Sequence, residues 1–198
     1  MLRTRNLAAA LLGIALASLP AMAQEFDRSE FTVQAFGSFV KTTNDNGIQQ
    51  SATNSGGVLA NYRFFFSQSH GVEVNYGYSL NTQNYLLESG PAGVKSDNHE
   101  FSAAYVFRHK MHGITPFAEA GAGGLVFDPR DTAGASTQTR AAFLYGAGAD
   151  IDLSSHFFIR AEYRGFVYDS PTFGLLATQS TDRITHRAEP SAGFGYRF

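Results

Sequence analysis

Apolar residues recur at every second position along eight stretches between residues 30 and 198. Successive side chains of a strand point to opposite faces, so this period predicts strands rather than helices. The third stretch is the most regular: Val72, Val74, Tyr76, Tyr78 and Leu80 alternate with Glu73, Asn75, Gly77 and Ser79. The second sets Val58, Ala60, Tyr62, Phe64 and Phe66 against Asn61 and Arg63, and the fourth sets Phe101, Ala103, Tyr105 and Phe107 against Glu100, Ser102, Ala104 and Arg108. In the sixth, Phe143, Tyr145 and Ile151 oppose Arg140, Gly146, Gly148 and Asp150; in the seventh, Phe157, Ile159 and Tyr163 oppose Arg160, Glu162 and Arg164. Two stretches are less regular. At 30–41, Phe36 and Val40 break the parity of Phe31, Val33, Ala35 and Phe39, and at 114–127 a Gly- and Ala-rich run opposes Phe117 and Glu119. The last, 186–198, carries Ala188, Pro190, Ala192, Phe194, Tyr196 and Phe198 on one face and Arg187, Glu189, Ser191, Gly193, Gly195 and Arg197 on the other.

Three short turns, at 67–70, 109–112 and 152–156, lie 43 residues apart, centred near 68, 111 and 154. Longer polar segments fill 42–55, 81–97, 128–139 and 169–185, and Gly90-Pro91 marks a turn within the second of them. Short turns at one end and long loops at the other describe an all-β chain folded as an eight-stranded antiparallel up-and-down transmembrane β-barrel. The polar faces carry seven Arg (63, 108, 140, 160, 164, 187, 197) and six acids (Glu73, Glu100, Glu119, Asp150, Glu162, Glu189), interspersed with Gly and Ser. Planar guanidinium forks paired with carboxylates suit a confined polar interior, which eight strands leave just wide enough to fill. A soluble barrel with its faces inverted is the alternative. Residues equidistant from a tight turn lie opposite each other. Arg63 should therefore face Glu73 and Asp150 should face Arg160, with Glu162 and Arg164 joining both pairs into one network that plugs the lumen.

The first residues change the compartment. Arg3 and Arg5 precede an apolar run from Leu7 to Ala17 and an Ala21-Met22-Ala23 cleavage pattern. This predicts a secretory signal peptide over 1–23 and a single barrel domain over 24–198, because the run is too short to span a bilayer as a helix. Without those two arginines, 13 basic residues stand against 17 acidic ones, a formal charge of −4 that offers nothing to nucleic acid. No Cys is present. Trp is absent too, so Tyr and Phe must supply the aromatic girdles of a membrane barrel.

The closing G-F-G-Y-R-F and the P-F-A-E-A-G-A-G stretch at 116–123 resemble small bacterial outer-membrane barrels of the outer-membrane protein A-like and Ail/Opa types. The resemblance spans residues 30–198. It implies location in the bacterial outer membrane and contact with outer-membrane lipid, including lipopolysaccharide. It also implies that the aromatics Phe194, Tyr196 and Phe198, on which the chain stops, form a signal read by the barrel-assembly machinery. With the chain ending at the barrel, no peptidoglycan-binding domain is expected. The expected role is that of a monomeric structural or surface-interaction scaffold, contacting a surface ligand through four long outer loops, with no cofactor, metal or enzymatic activity. Fold does not decide function, so a small pore and a lipid A-modifying enzyme are the alternatives. The lipid-enzyme reading has two candidate groupings, and a third pair of residues is weighed as a metal site. His99 and Ser102 are separated by an odd spacing that puts them on opposite faces. Asp169 and Ser170 could meet His186 across the last loop, and His109 and His112 share a turn but supply two ligands only.

Overall fold

The computed structural model describes residues 28–45, 47–87, 90–130, 132–175 and 183–198. The expected signal peptide at 1–23 lies outside the described residues. The strands are β1 (Ser29–Val40), β2 (Thr43–Asp45), β3 (Ile48–Ala52), β4 (Ser55–Phe65), β5 (His70–Leu87), β6 (Gly90–Arg108), β7 (Ile114–Pro129), β8 (Gln138–Asp152), β9 (Phe157–Asp169) and β10 (Ile184–Arg197). All except β2 and β3 build one closed antiparallel barrel, in the order β1-β4-β5-β6-β7-β8-β9-β10. The last strand pairs with the first: Phe31 lies opposite Tyr196, Val33 opposite Phe194 and Ala35 opposite Ala192. The Phe198 amide also donates to the Ser29 carbonyl at 2.9 Å. Closure leaves no unpaired strand edge in the wall, a condition for crossing a bilayer with strands.

The two faces separate as the alternation predicts. Val33, Val58, Val74, Phe101 and Phe143 are each more than half exposed on the outer wall, while Thr32, Arg63, Glu73 and Glu100 point inward and are at most 2 % exposed. On β1, Phe31, Val33 and Phe39 face out and Phe36 is buried inside, which accounts for the broken parity. Val74 sits in the middle of the apolar wall, between Tyr62 of β4 and Ala103 of β6. Val74→Arg should cost about 2–4 kcal/mol in the bilayer, while Val74→Leu should be nearly neutral. Urea unfolding in lipid vesicles, followed by circular dichroism, checks the difference.

The outer segments depart from the loop expectation. Residues 42–55 contain the β2–β3 hairpin, and β3 pairs with the upper part of β5 from Gln49 opposite Leu86 to Ala52 opposite Gln83. Residues 81–97 continue the β5–β6 ladder without a break to Leu87 opposite Gly90, so Gly90-Pro91 opens the returning strand instead of forming the turn. The period-2 signal is created by lipid on one face. Above the bilayer that contrast ends, yet backbone pairing continues. In the close-packed stretch of β7, Gly121 and Gly123 bring that strand against Ala104 and Ser102 of β6; a Cβ on either would lie 2.6 Å from them.

Candidate functional site

The inward face of β9 reads, from the short-turn end upward, Phe158, Arg160, Glu162, Arg164, Phe166 and Tyr168, and each step marks a layer of the lumen. In the lowest layer, Glu30 of β1 gathers Arg108 (2.5 Å), Arg160 (2.9 Å) and Arg197 (3.0 Å). Arg160 also binds Asp150, its register partner, through Nε at 2.7 Å and Nη2 at 2.8 Å. The guanidinium groups of Arg108 and Arg197 lie over the Phe65 and Phe158 rings at 3.3 and 4.2 Å. Such stacking lets a planar cation sit on an apolar surface, which an ammonium group does less well.

In the middle layer, Arg63 lies opposite Glu73 and bonds it through Nε, reaches Glu119 at 3.1 Å, and comes within 3.7 Å of Glu162. Gln34 donates to Glu162 at 3.1 Å. The lower and middle layers touch where Arg160 Nη1 lies 3.6 Å from Glu73. The upper polar layer is a separate four-residue cluster. Arg164 bonds Glu100 (2.7 Å) and Glu189 (2.6 Å), and Arg187 bonds Glu100 at 3.0 Å. Arg164 thus serves the upper cluster and does not bridge the Arg63–Glu73 and Asp150–Arg160 pairs, as the parity reading has it. Arg140, counted with the lumen charges from sequence, is only half-buried near the outer end, where it bonds Gln138 at 3.3 Å. Glu30, which that count omitted, is at the centre of the lowest layer.

Above these layers the interior turns apolar. Leu125, Phe127, Leu144, Phe166 and Tyr168 pack with Tyr85 and Val94 beneath Phe173, from the segment after β9. Phe173 is fully buried at φ 54°, a conformation rare for a non-glycine residue. It is held by the Ser136 amide donating to its carbonyl at 2.9 Å, and its neighbour Pro171 accepts the Tyr85 hydroxyl at 2.7 Å. Burial pushes the Tyr85 hydroxyl above its ordinary pKa, so it remains a proton donor. A shallow dent marks the mouth beside Lys41, Gln50 and Thr185. A water-filled channel would wet the side chains lining it, yet Arg160, Arg164, Glu189, Leu144 and Phe166 are all at 0 % exposure.

On the outer wall, Phe194, Tyr196 and Phe198 are exposed. Tyr196 stacks on Phe198 (6.1 Å between centroids) and meets Phe157 edge-on (5.1 Å). His99 also faces out, bonded to the Tyr76 hydroxyl at 3.0 Å, while Ser102 is inside and donates to Glu100 at 3.2 Å. The ring of His186 is engaged by the Tyr145 hydroxyl at 2.8 Å, whereas Ser170 is buried and Asp169 exposed. His109 and His112 are exposed in their turn. Among the described residues, the group of three that could hold a metal ion is Glu73, Glu119 and Glu162.

Comparison with known structures matches this architecture to small outer-membrane barrels. OprG of Pseudomonas aeruginosa superposes with a TM-score of 0.60 at 13 % identity, covering 87 % of this chain and 97 % of OprG. Neisserial surface protein A (NspA) gives 0.61 at 15 %, covering 85 % and 97 %. Ail, the attachment invasion locus protein of Yersinia pestis, gives 0.51 at 19 %, covering 87 % and 99 %. At these identities the likeness establishes the fold. No curated protein matches the chain. Residues 9–198 match the family described as the outer membrane protein beta-barrel domain, and the chain therefore belongs to that family of bacterial outer-membrane β-barrels.

Proposed function

We propose that this protein is a closed, non-conducting scaffold of the outer membrane that contacts a surface ligand through its outer segments and catalyses no reaction. The filled lumen carries this reading. Three layers of paired charges and an apolar layer under Phe173 occupy the space through which a pore would conduct. Above the bilayer, the β2–β3 hairpin and the prolonged β5–β6 ribbon form a raised platform. It presents Leu86, Pro91, Gly93 and Lys95 at its surface, an arrangement suited to binding rather than passage. The outward wall contacts lipid, lipopolysaccharide included, through its Tyr and His side chains. Catalysis is disfavoured because His99 and Ser102 occupy opposite faces and His186 is occupied by Tyr145.

Purified barrels in planar bilayers should show no conductance above the protein-free baseline. Shortening the ribbon by removing residues 83–94 should leave a folded barrel, since the ladder below Thr82 opposite Lys95 is untouched. It should also abolish attachment of cells displaying the protein. Stable conductance steps, or unchanged attachment by the shortened form, would count against the proposal.

A further inference from the structure

The end of the barrel opposite the platform carries a ring of histidines. Four of the chain's six lie in its three short turns: His70 closes the first, His109 and His112 bound the second, and His156 ends the third. Short turns mark the periplasmic end of an outer-membrane barrel. Two of these rings are built into the outer wall. The His70 ring lies 5.3 Å from that of Phe107, 6.0 Å from Tyr105 and 6.4 Å from Phe66, and its Nδ1 is bonded to the Tyr105 hydroxyl. His156 stacks on Tyr196 at 5.7 Å, with its Nδ1 2.9 Å from the Ser155 hydroxyl. A hydroxyl thus takes Nδ1 in both, and Nε2 is left for a partner outside the described residues. His109 and His112 are exposed on either side of Lys110 and Met111. Met111 and Leu153, 50 % and 57 % exposed, set apolar side chains among these polar turns.

The charges at this end leave room for an anion. Arg28 and Lys110 are its fixed cations beyond the lumen, Arg197 holds Asp152, and Glu30 and Asp150 are buried among lumen arginines. The exposed and half-buried acids Asp97, Asp128 and Asp169 all lie at the opposite end. Even with the carboxylate of Phe198 counted, the described rim is net positive, and it gains one charge with each imidazole that protonates. The rings do not gather around a metal: among the described residues, the metal-compatible group is Glu73, Glu119 and Glu162, which includes none of them. Cations spread around a rim match a surface of anions better than a single ion.

We propose that this rim binds the anionic phospholipid headgroups of the periplasmic leaflet, and binds them more strongly as pH falls. Aromatic belts lie at the headgroup level of a membrane protein, so the belt residues around His70 and His156 hold both imidazoles at the depth of the lipid phosphates. The exposed Met111 and Leu153 suit a turn that rests on lipid. Histidine changes charge between about pH 5 and 8. A protonated imidazole donates from Nε2 to a phosphate oxygen, a charge-assisted bond, while the Tyr105 or Ser155 hydroxyl accepts from Nδ1. Protonation adds positive charge, so the attraction is present at low pH and fades as pH rises.

The test refolds the full chain into vesicles of phosphatidylcholine, alone or mixed with phosphatidylglycerol, and compares urea midpoints at about pH 5.5 and pH 8. The gain from phosphatidylglycerol is the readout, because titration of lumen carboxylates acts in both vesicles alike. Phosphatidylglycerol should raise the midpoint at the lower pH and much less at the higher, and salt should shrink the gain. Replacing all four histidines by Gln should remove most of the pH-dependent part. His109→Gln with His112→Gln changes exposed turn positions only, so it folds and should remove a share of the gain by itself. Inorganic phosphate added to phosphatidylcholine vesicles should not reproduce the gain, since scattered rings engage a surface and not a free ion. An equal gain at both pH values would overturn the proposal, as would an undiminished gain in both variants or the same gain from free phosphate.

Discussion

Arg160→Met is expected to lower the unfolding free energy of the barrel by about 3–5 kcal/mol, the range for removing one partner of a buried ion pair. Arg160 is fully buried and serves three carboxylates: Asp150 at 2.7 Å, Glu30 at 2.9 Å and Glu73 at 3.6 Å. Glu30 keeps Arg108 and Arg197, and Glu73 keeps Arg63, so the loss falls mainly on Asp150, left with Arg197 at 3.4 Å. This predicts strong coupling. Arg160→Met with Asp150→Leu should be more stable than Arg160→Met alone, because replacing both members by apolar groups leaves no orphaned charge. Urea titrations of the wild type, both single variants and the double variant, read by circular dichroism in vesicles, give the coupling energy. Simple additivity would mean that the pair does not interact as its geometry implies.

The same pair shows what can be read from sequence. Asp150 and Arg160 lie equidistant from a tight turn, as do Arg63 and Glu73, so counting outward from each turn places them opposite one another, and the structure has both registers. Face assignment is legible for a related reason, since lipid demands apolar side chains at alternate positions. The lumen follows a weaker rule, because its side chains need only satisfy one another. Val106, Leu144, Phe158 and Phe166 point inward at 0 % exposure. They cost nothing there because they pack together or under guanidinium planes, and a search for polar residues passes over them. Glu30 was obscured by Phe36, an inward aromatic whose ring fits against Gly57 of β4. Hairpin counting relates neighbouring strands only. The convergence of Glu73, Glu119 and Glu162 from β5, β7 and β9, and the return of Phe173 over the mouth, depend on the curvature of the closed barrel. A linear pattern contains no term for that curvature.

Phe198→Asp is expected to abolish most of the folded, membrane-inserted protein in cells while barely altering the stability of the barrel refolded in vitro. The second half follows from position. Phe198 is 46 % exposed beyond the end of β10, its ring 6.4 Å from Tyr62 and 6.1 Å from Tyr196. Charge near the membrane interface costs only about 0–1 kcal/mol, and acidic residues cost less than basic ones. The backbone bond to Ser29, which fastens the closing strand to the first, does not use the side chain. The first half follows from a different requirement. The row of exposed aromatics Phe194, Tyr196 and Phe198 lies along the strand that closes the barrel against β1, and the contact with the assembly machinery that the resemblance implies would read those rings. A stability defect would lower both measurements together, whereas a recognition defect lowers only the cellular one. Phe198→Tyr, which keeps an aromatic ring at the interface, should assemble normally. Protein levels in outer-membrane fractions, compared with urea midpoints of the refolded variants, separate the two cases. Normal cellular levels of folded Phe198→Asp would rule out the recognition role.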